Sequence, residues 1–198
     1  MQSDQNELYP VFLRLDRMRL LIIGGGAKGS EKLRFLLKSS PNARVELVAP
    51  SITEEIGQLA DAHPGVILHR RPFSILDLNE KDVVIVATED AALDHRIWEK
   101  AKYRKLLVHV ADVPHLSDFY LGSVVTKGDI KIAVSTNGKS PTFSRRVREL
   151  LEEVLPEEIP IVLAHLRLIR DRLKSTGTVK VRAIRELTSA IVGAQHLN

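Results

Sequence analysis

The chain has 198 residues, of which 44% are hydrophobic and 27% charged, with a formal net charge of +4. This length suits one domain with a smaller appendage, and the composition excludes wholesale disorder, collagen-like repeats and coiled coils. The absence of cysteine excludes disulfides, zinc–thiolate sites, iron–sulfur clusters and cysteine nucleophiles. The first ten residues carry no secretory-signal pattern, and apolar runs such as residues 20–23 are far too short to span a bilayer. We therefore expect a cytoplasmic protein with no membrane partner.

The first half of the chain alternates between apolar runs and amphipathic segments of helical spacing. Because the runs are continuously apolar, they indicate strands that are buried on both faces of a sheet. Such alternation predicts the α/β class, a doubly wound parallel sheet covered by helices. The predicted strands are Arg19–Ile23, Arg44–Ala49, Val66–His69, Val83–Ala87 and Leu107–Val110, and the predicted helices are Ser30–Ser39, Thr53–Ala62 and Ala91–Tyr103.

The pattern changes after residue 110. Phe119–Thr126 and Asp129–Thr136 predict two strands joined by a turn at Lys127-Gly128, which is a β-hairpin and not a βαβ unit. We therefore expect the parallel sheet to end before the hairpin.

Helices are predicted after the hairpin. Ser140 is placed to cap the helix Thr142–Leu155, and Pro141 suits its first position. Two further helices are predicted, one that begins near Pro160 and another that follows Gly177. The predicted division is a nucleotide-binding domain over 1–112, a hairpin connector over 113–139 and a helical domain over 140–198.

A G-x-G-x-x-G pattern lies between the first predicted strand and the first helix. Gly24 permits a tight turn, Gly26 lets a pyrophosphate approach the backbone, and Gly29 lets the helix pack closely on the strand. The helix N-terminus adds unpaired N–H groups and a partial positive charge, which suit phosphate. This context predicts dinucleotide binding in a Rossmann-like domain. The alternative is a glycine turn in an α/β domain that binds another ligand or none.

Dinucleotide sites of this kind usually place a carboxylate on the adenosine ribose. Glu46 has about the right sequence distance but falls inside the second strand, so we expect a structural role for it. We expect the ribose to be met by Ser51 or by the backbone at Pro50, which follow that strand. Without a carboxylate there, the choice between NAD and NADP stays open on physical grounds. Lys28 either reaches the phosphates or is solvated.

Polar residues follow the fourth and fifth predicted strands, where ligands bind in open α/β sheets. Thr88 is expected beside the cofactor. Asp112 is expected where a nicotinamide would meet substrate, as a general acid or base, or else as a turn residue before Pro114. His109 and His115 bracket it, but their spacing matches no metal-binding motif, so we expect both to be structural.

Several stretches of this chain together resemble the siroheme synthase N-terminal family, which comprises precorrin-2 dehydrogenases, some of them also sirohydrochlorin ferrochelatases. The similarity runs from about Leu8 to Leu155, and the last two stretches are specific in combination. The stretches are LYPVFLRL, LLIIGGGAKGSEKLRFLL, VATED, VADVPHLSDF and AVSTNGKSP.

The resemblance implies NAD-dependent oxidation of precorrin-2 to sirohydrochlorin by a homodimer built partly from the hairpin region. It makes Asp112 the counterpart of the family's essential aspartate. It also assigns NAD contacts to Ala27 and Lys28 and to Pro50 and Ser51. Ser140 matches a serine that lines the substrate region, and a plain helix cap is the alternative.

The chain departs from the family pattern at three places. His109 stands where the family usually has Asn, and Gly122 where it commonly has Pro. The family loop usually reads GGGxVAxRK, whereas it reads GGGAKGSEK here and keeps only Lys32 of the closing pair. Some members with a short helical region are dehydrogenases only, so the resemblance leaves ferrochelatase activity open.

The basic excess is concentrated in residues 144–198, which hold ten Lys/Arg against seven Asp/Glu. Because precorrin-2 carries several carboxylates, Lys139 and Arg146 are predicted as substrate clamps, with a solvated helix face as the alternative. A rival reading is an NAD-responsive redox sensor whose basic helical tail binds nucleic acid. We favour the enzyme, without a nucleic-acid partner, because the tail lacks a helix-turn-helix pattern and its arginines alternate with acidic residues.

Overall fold

The computed structural model describes residues 6–172, apart from the side chains of residues 169, 170 and 172. The described residues form two compact units. One comprises residues 6–122 with 135–144, and the other comprises residues 123–134 with 145–172. The helix predicted after Gly177 lies outside the described residues.

The first unit is a parallel sheet with helical crossovers. Its elements are β1 (Arg19–Ile23), α1 (Ala27–Ser39), β2 (Arg44–Ala49), α2 (Glu54–Ala62), β3 (Val66–Arg70), β4 (Val83–Val86), α3 (Ala91–Tyr103) and β5 (Leu107–Val110). The five strands are parallel in the order β3-β2-β1-β4-β5. This arrangement confirms the predicted Rossmann-like α/β class.

The chain reverses its direction across the sheet at β1. From β1 it builds outward through β2 to β3, and then returns to add β4 and β5 on the other side. Leu21 of β1 therefore aligns with Glu46 of β2 on one side and with Val84 of β4 on the other. Ligands of open α/β sheets bind beyond the carboxyl ends of the strands at this reversal.

Two hydrophobic layers enclose the sheet because successive side chains of each strand point to opposite faces. Leu20 and Ile22 of β1 pack in the layer of α1 and α2, whereas Leu21 and Ile23 pack in the layer of α3. Each fully buried side chain of this size contributes roughly 2 kcal/mol. The first layer includes Leu33, Leu37, Leu47, Ile56 and Ile85, and the second includes Val84, Val86, Ile97, Val108 and Val110.

The outer edge of β5 is covered by the segment that follows it. The Asp118 carboxylate accepts a hydrogen bond from Val108 N–H at 2.9 Å, and Asp118 N–H donates to Val108 C=O at 2.7 Å. Ser117 Oγ accepts from Val110 N–H at 3.0 Å and donates to Val113 C=O at 3.2 Å. An edge strand otherwise exposes a row of unpaired backbone groups. The VADVPHLSDF segment thus closes the sheet edge and fixes the loop that carries Asp112.

The second unit contains a hairpin, and helix α4 (Pro141–Val154) continues into it before α5 (Ile159–Arg172). The hairpin pairs β6 (Ser123–Lys127) with β7 (Ile130–Val134) in antiparallel register. Its turn lies at Gly128-Asp129, one residue later than predicted. Gly128 has a φ of +55°, and a Cβ there would lie 2.8 Å from Pro160 Cγ, so both the turn and its neighbour require glycine.

Among the described residues, no helix is both long and apolar enough to cross a membrane.

Removal of the Asp118 carboxylate tests whether its hydrogen bond to the edge of β5 stabilises the protein. Asp118→Ala leaves Val108 N–H without its acceptor and Lys102 without its ion pair, so we expect unfolding to require about 1–3 kcal/mol less free energy. Asp118→Asn keeps an acceptor oxygen and should lose less. Urea denaturation of both variants is the measurement, with Asp61→Ala on exposed α2 as control. Equal stability of Asp118→Ala and the control would contradict this role.

Candidate active site

The glycine loop after β1 is shaped by close backbone contacts. Gly24 has a φ of +125°, and a Cβ there would lie 2.2 Å from the carbonyl oxygen of Ala87, at the end of β4. A Cβ on Gly29 would lie 2.1 Å from the carbonyl oxygen of Gly24. Neither site admits a side chain without displacement of the backbone. These contacts agree with the turn and packing roles predicted for Gly24 and Gly29.

Gly25 is a third obligatory glycine, which the G-x-G-x-x-G pattern did not single out. A Cβ on Gly25 would lie 2.1 Å from the carbonyl oxygen of Ser51. Gly25 C=O also accepts a hydrogen bond from Thr53 N–H at 3.0 Å, and Gly24 N–H donates to Val48 C=O at 3.1 Å. The loop is thereby joined to the segment after β2. The unbroken triplet of glycines was the signal available in the sequence.

Gly26 differs from its neighbours because it lies open to solvent. A Cβ there would have a single neighbour, Glu89 Oε1, at 4.0 Å. Gly26 is the N-cap residue of α1, and the exposed Ala27 follows it. The first turn of α1 therefore presents backbone N–H groups beside free space. This arrangement fits a pyrophosphate, which needs close approach to the backbone at a helix N-terminus.

Thr88 organises the loop after β4. Its hydroxyl donates to the buried carboxylate of Asp94 and accepts a hydrogen bond from Asp90 N–H at 3.1 Å. Asp90 in turn caps α3 by accepting from Ala92 N–H and Leu93 N–H. The hydroxyl is thus committed within its own loop. Any contact of Thr88 with a cofactor would come from its remaining exposed surface.

Asp112 follows β5 and forms an ion pair with Lys28 of α1. The distance between Lys28 Nζ and Asp112 Oδ2 is 2.9 Å. The hydrogen bond from Lys28 lowers the pKa of Asp112, and the same bond raises the pKa of Lys28. Lys28 is therefore neither simply solvated nor free for phosphate in this state. The structure joins the glycine loop directly to the candidate catalytic carboxylate.

The backbone of Asp112 adopts a φ of +63°. This left-handed conformation is unfavourable for residues with a Cβ, although aspartate tolerates it better than most. Its side chain remains 67% exposed. Strain of this kind is concentrated at functional positions and needs surrounding contacts to persist. Asp112 therefore offers an ionised and accessible carboxylate at the carboxyl end of the sheet.

His109 belongs to β5, three residues before Asp112. It is 8% exposed, and its Nδ1 lies 3.1 Å from the carbonyl oxygen of Phe119, so that Nδ1–H can donate. Burial lowers the pKa of His109, which leaves the ring neutral at pH 7. Its buried Nε2 has no hydrogen-bond partner within residues 6–172. These contacts support a structural role.

Glu46 is engaged within the sheet. Its carboxylate accepts hydrogen bonds from Lys81 Nζ and from His69 Nε2, the latter at 3.1 Å. This pairing agrees with the structural role that we expected. Pro50 and Ser51 lie exposed after β2, next to the glycine loop.

The candidates after the hairpin have partners of their own. Ser140 Oγ accepts a hydrogen bond from Phe143 N–H at 3.2 Å, so Ser140 caps α4. Lys139 N–H donates to Thr136 C=O at 3.0 Å. Arg146 belongs to the second unit, is 80% exposed and pairs with Glu149 at 3.1 Å. The hydrogen bond from Phe143 N–H thus supports the alternative that Ser140 is a helix cap.

Side chains that could bind a metal are not clustered in the described part of the chain. Within residues 6–172, no group of three or more histidine, aspartate or glutamate side chains is placed to hold a metal ion.

Two glycine variants separate binding from folding. Gly26→Ala places a methyl group where a pyrophosphate would approach, so we expect the affinity for NADH to fall roughly tenfold while stability changes by less than about 1 kcal/mol. Gly29→Ala meets a backbone oxygen and should lower stability by at least about 2 kcal/mol. NADH fluorescence titration and thermal unfolding measure the two effects. Unchanged NADH affinity in Gly26→Ala would contradict pyrophosphate binding at this turn.

Comparison with known proteins shows which family the chain resembles. A family model described as "Putative NAD(P)-binding" matches residues 11–123, and one described as "Sirohaem biosynthesis protein central" matches residues 127–153. The siroheme synthase of Pseudoalteromonas atlantica is 32% identical over 169 residues, which is 85% of this chain and 36% of that protein. Siroheme synthase 1 of Halorhodospira halophila is 35% identical over 149 residues, 75% of this chain and 30% of that protein.

This chain thus spans about a third of the length of the curated siroheme synthases that it matches. A solved structure described as SirC, precorrin-2 dehydrogenase, superposes with a TM-score of 0.71 at 26% identity. The superposition covers 93% of this chain and 89% of that one. The glycine loop, the five-stranded sheet and these likenesses agree: the chain belongs to the siroheme synthase N-terminal family of NAD(P)-binding proteins.

Proposed function

We propose that this chain acts in the cytoplasm as an NAD-dependent dehydrogenase that oxidises precorrin-2 to sirohydrochlorin. The observation that carries the proposal is the 2.9 Å contact between Lys28 of the glycine-loop helix and Asp112. It places an ionised carboxylate at the same end of the sheet as the dinucleotide loop. The likeness to SirC, which is described as a precorrin-2 dehydrogenase, supports this substrate.

The residues that would hold the cofactor lie around the reversal at β1. Gly24, Gly26 and Ala27 would carry the pyrophosphate, whereas the Lys28 ammonium that follows them is paired with Asp112. Pro50 and Ser51 would meet the ribose, and Thr88 would border the cofactor from β4. When bound, NAD⁺ supplies the hydride acceptor. The exposed backbone at Gly26 suits this arrangement.

Oxidation of precorrin-2 to sirohydrochlorin removes two hydrogens, one transferred as hydride to NAD⁺ and the other released as a proton. Asp112 is the group placed to serve the substrate at this step. Its carboxylate can accept hydrogen bonds from the macrocycle N–H groups, or it can receive the released proton. Since the carboxylate is exposed, solvent water can also take the proton.

The carboxylates of the tetrapyrrole need cationic and hydroxyl partners. We propose that Lys139, Ser140 and Arg146 supply them, because guanidinium and ammonium groups bind carboxylates by charge-assisted hydrogen bonds. Arg146 would exchange its exposed pairing with Glu149 for the substrate, at little cost, since exposed ion pairs are weak. Ser140 would contribute through its second lone pair while it caps α4.

Adding precorrin-2 and NAD⁺ to the purified protein tests the proposed activity. The tetrapyrrole spectrum should change to that of sirohydrochlorin, and later addition of Fe²⁺ or Co²⁺ reads out metal insertion separately. We expect Asp112→Asn to lower kcat/KM by at least about 100-fold, with NADH affinity unchanged within about threefold. Asn tolerates the positive φ of this position, so the fold should persist. Full turnover by Asp112→Asn would remove Asp112 from the mechanism.

We also propose that the chain forms a homodimer through the hairpin segment, residues 113–139. Two-stranded sheets are marginally stable by themselves, and their free edges pair readily. The β6–β7 sheet has two strands, and α4 exposes the apolar side chains of Phe143, Leu150 and Val154. A second copy would cover such surfaces.

The dimer proposal predicts a mass in solution of twice 22.1 kDa. Ala133 lies exposed on β7 opposite Val124, so Ala133→Glu should shift the protein toward the monomer in light scattering, because it places a charge on the proposed interface. Ala62→Glu, on the exposed end of α2, is the matched control. A monomeric unmodified protein would contradict the proposal.

The redox-sensor alternative finds no support in the described part of α4. Arg146 and Arg148 are paired with Glu149 and Glu152. Over its whole length α4 holds three arginines and three glutamates, so it has no net positive charge to attract a phosphate backbone. We therefore propose a small-molecule substrate and no nucleic-acid partner.

A further inference from the structure

The ion pair between Lys28 and Asp112 bridges two strands that are not neighbours. Lys28 is the second residue of α1, which follows β1, whereas Asp112 follows β5. The two strands are separated by β4, so their axes are about 10 Å apart. The long lysine side chain spans this distance and reaches Asp112 Oδ2 at 2.9 Å. A shorter residue at position 28 could not make this contact.

Other charged groups around Asp112 leave Lys28 as its direct partner. Lys32 and His109 also act on the Asp112 carboxylate. The Lys32 ammonium, however, forms an ion pair with Glu31 at 3.0 Å, and the neutral His109 carries no charge at pH 7. The ammonium bonded to Asp112 is that of Lys28.

Acidic groups near Lys28 do not displace it from Asp112. Glu89 and Asp94 act on its ammonium from the β4–α3 side. Asp94 is buried and accepts the hydroxyl hydrogen bond of Thr88. The hydrogen bond of Lys28 goes to Asp112, at the position whose backbone φ is +63°. The strained backbone and the ion pair together fix where the carboxylate lies.

We propose that Lys28 is a positioning residue that holds the Asp112 carboxylate in place beside the glycine-loop helix. Held in this way, the carboxylate accepts hydrogen bonds from the N–H groups of the tetrapyrrole, and the proton of the oxidation passes to solvent. The inference rests on the proposed dehydrogenase function. It also moves Lys28 from the cofactor phosphates, where sequence similarity placed it, to the substrate side of the site.

The ion pair makes the Asp112 carboxylate a weak base, so it is poorly suited to take up the proton released in the oxidation. An adjacent ammonium stabilises the charged form of a carboxyl group and weakens it as a base. The carboxylate is ionised in the neutral range with or without this ammonium, so the contribution of Lys28 is to fix where the acceptor oxygens lie. Such a carboxylate suits a ring N–H donor. The N–H group needs only an oxygen lone pair to accept its hydrogen bond, and no proton is transferred.

Three variants of the full chain test the proposal. Lys28→Met removes the ammonium at similar length, Lys28→Arg restores a cation, and Lys38→Met removes an exposed lysine from the far end of the same helix. The readouts are the titration midpoint of the Asp112 carboxyl group by ¹³C NMR, assigned with Asp112→Asn, the NADH dissociation constant, and kcat and KM for precorrin-2.

We expect Lys28→Met to raise the Asp112 midpoint by about one pH unit and to lower kcat/KM roughly tenfold or more, with NADH affinity unchanged within about threefold. Lys28→Arg should restore both properties, and Lys38→Met should match the unmodified protein. An unchanged midpoint in Lys28→Met would overturn the inference, above all if NADH binding weakened instead. A rise in kcat at neutral pH would also overturn it, because a carboxylate that acts as a base gains strength when its cation is removed.

Failure of the proposed function would look different. An unmodified protein that leaves precorrin-2 unoxidised contradicts the dehydrogenase assignment. The NMR midpoints would still show whether the Lys28 ammonium is paired with the Asp112 carboxylate.

Discussion

The absence of room for side chains at the glycine loop is the constraint on which the first unit depends. β1 lies in the middle of the sheet, and the loop that leaves it must pass between the ends of β2 and β4. Gly25 touches the Ser51 carbonyl on one side, and Gly24 touches the Ala87 carbonyl on the other. These contacts set the direction of α1, which carries Lys28 across the end of β4 to Asp112. The cofactor loop and the candidate carboxylate are therefore built as one structure.

A second constraint acts at the sheet edge. Within residues 6–172, no strand pairs with the outer side of β5, and the segment after it supplies the missing hydrogen bonds through Ser117 and Asp118. The chain can then turn sharply at Asp112 with a positive φ, because residues on both sides are tied down. Structural residues of the VADVPHLSDF segment thus hold the candidate catalytic carboxylate. In this way a short motif serves both the stability and the chemistry of the site.

Local patterns in the sequence predicted the sheet well. Continuous apolar runs located β1, β2 and β5 at their observed bounds, because strands buried on both faces leave no other pattern. The hairpin turn was displaced by one residue, since Lys127-Gly128 and Gly128-Asp129 are both acceptable turn pairs. The Lys28–Asp112 pair was beyond sequence reasoning. It joins residues 84 positions apart, which follow strands that are not adjacent, and depends on how far α1 projects over β4.

The ratio of NADH formed to sirohydrochlorin formed is the most direct test of the proposed dehydrogenase. Under anaerobic conditions, which prevent oxidation of precorrin-2 by air, the amounts of NADH and sirohydrochlorin formed are measured in the same reaction. The account predicts one NADH for each sirohydrochlorin, with no conversion when NAD⁺ is omitted. Conversion without NADH, or NADH binding without conversion, would contradict the central claim that the glycine loop and Asp112 form one dehydrogenase site.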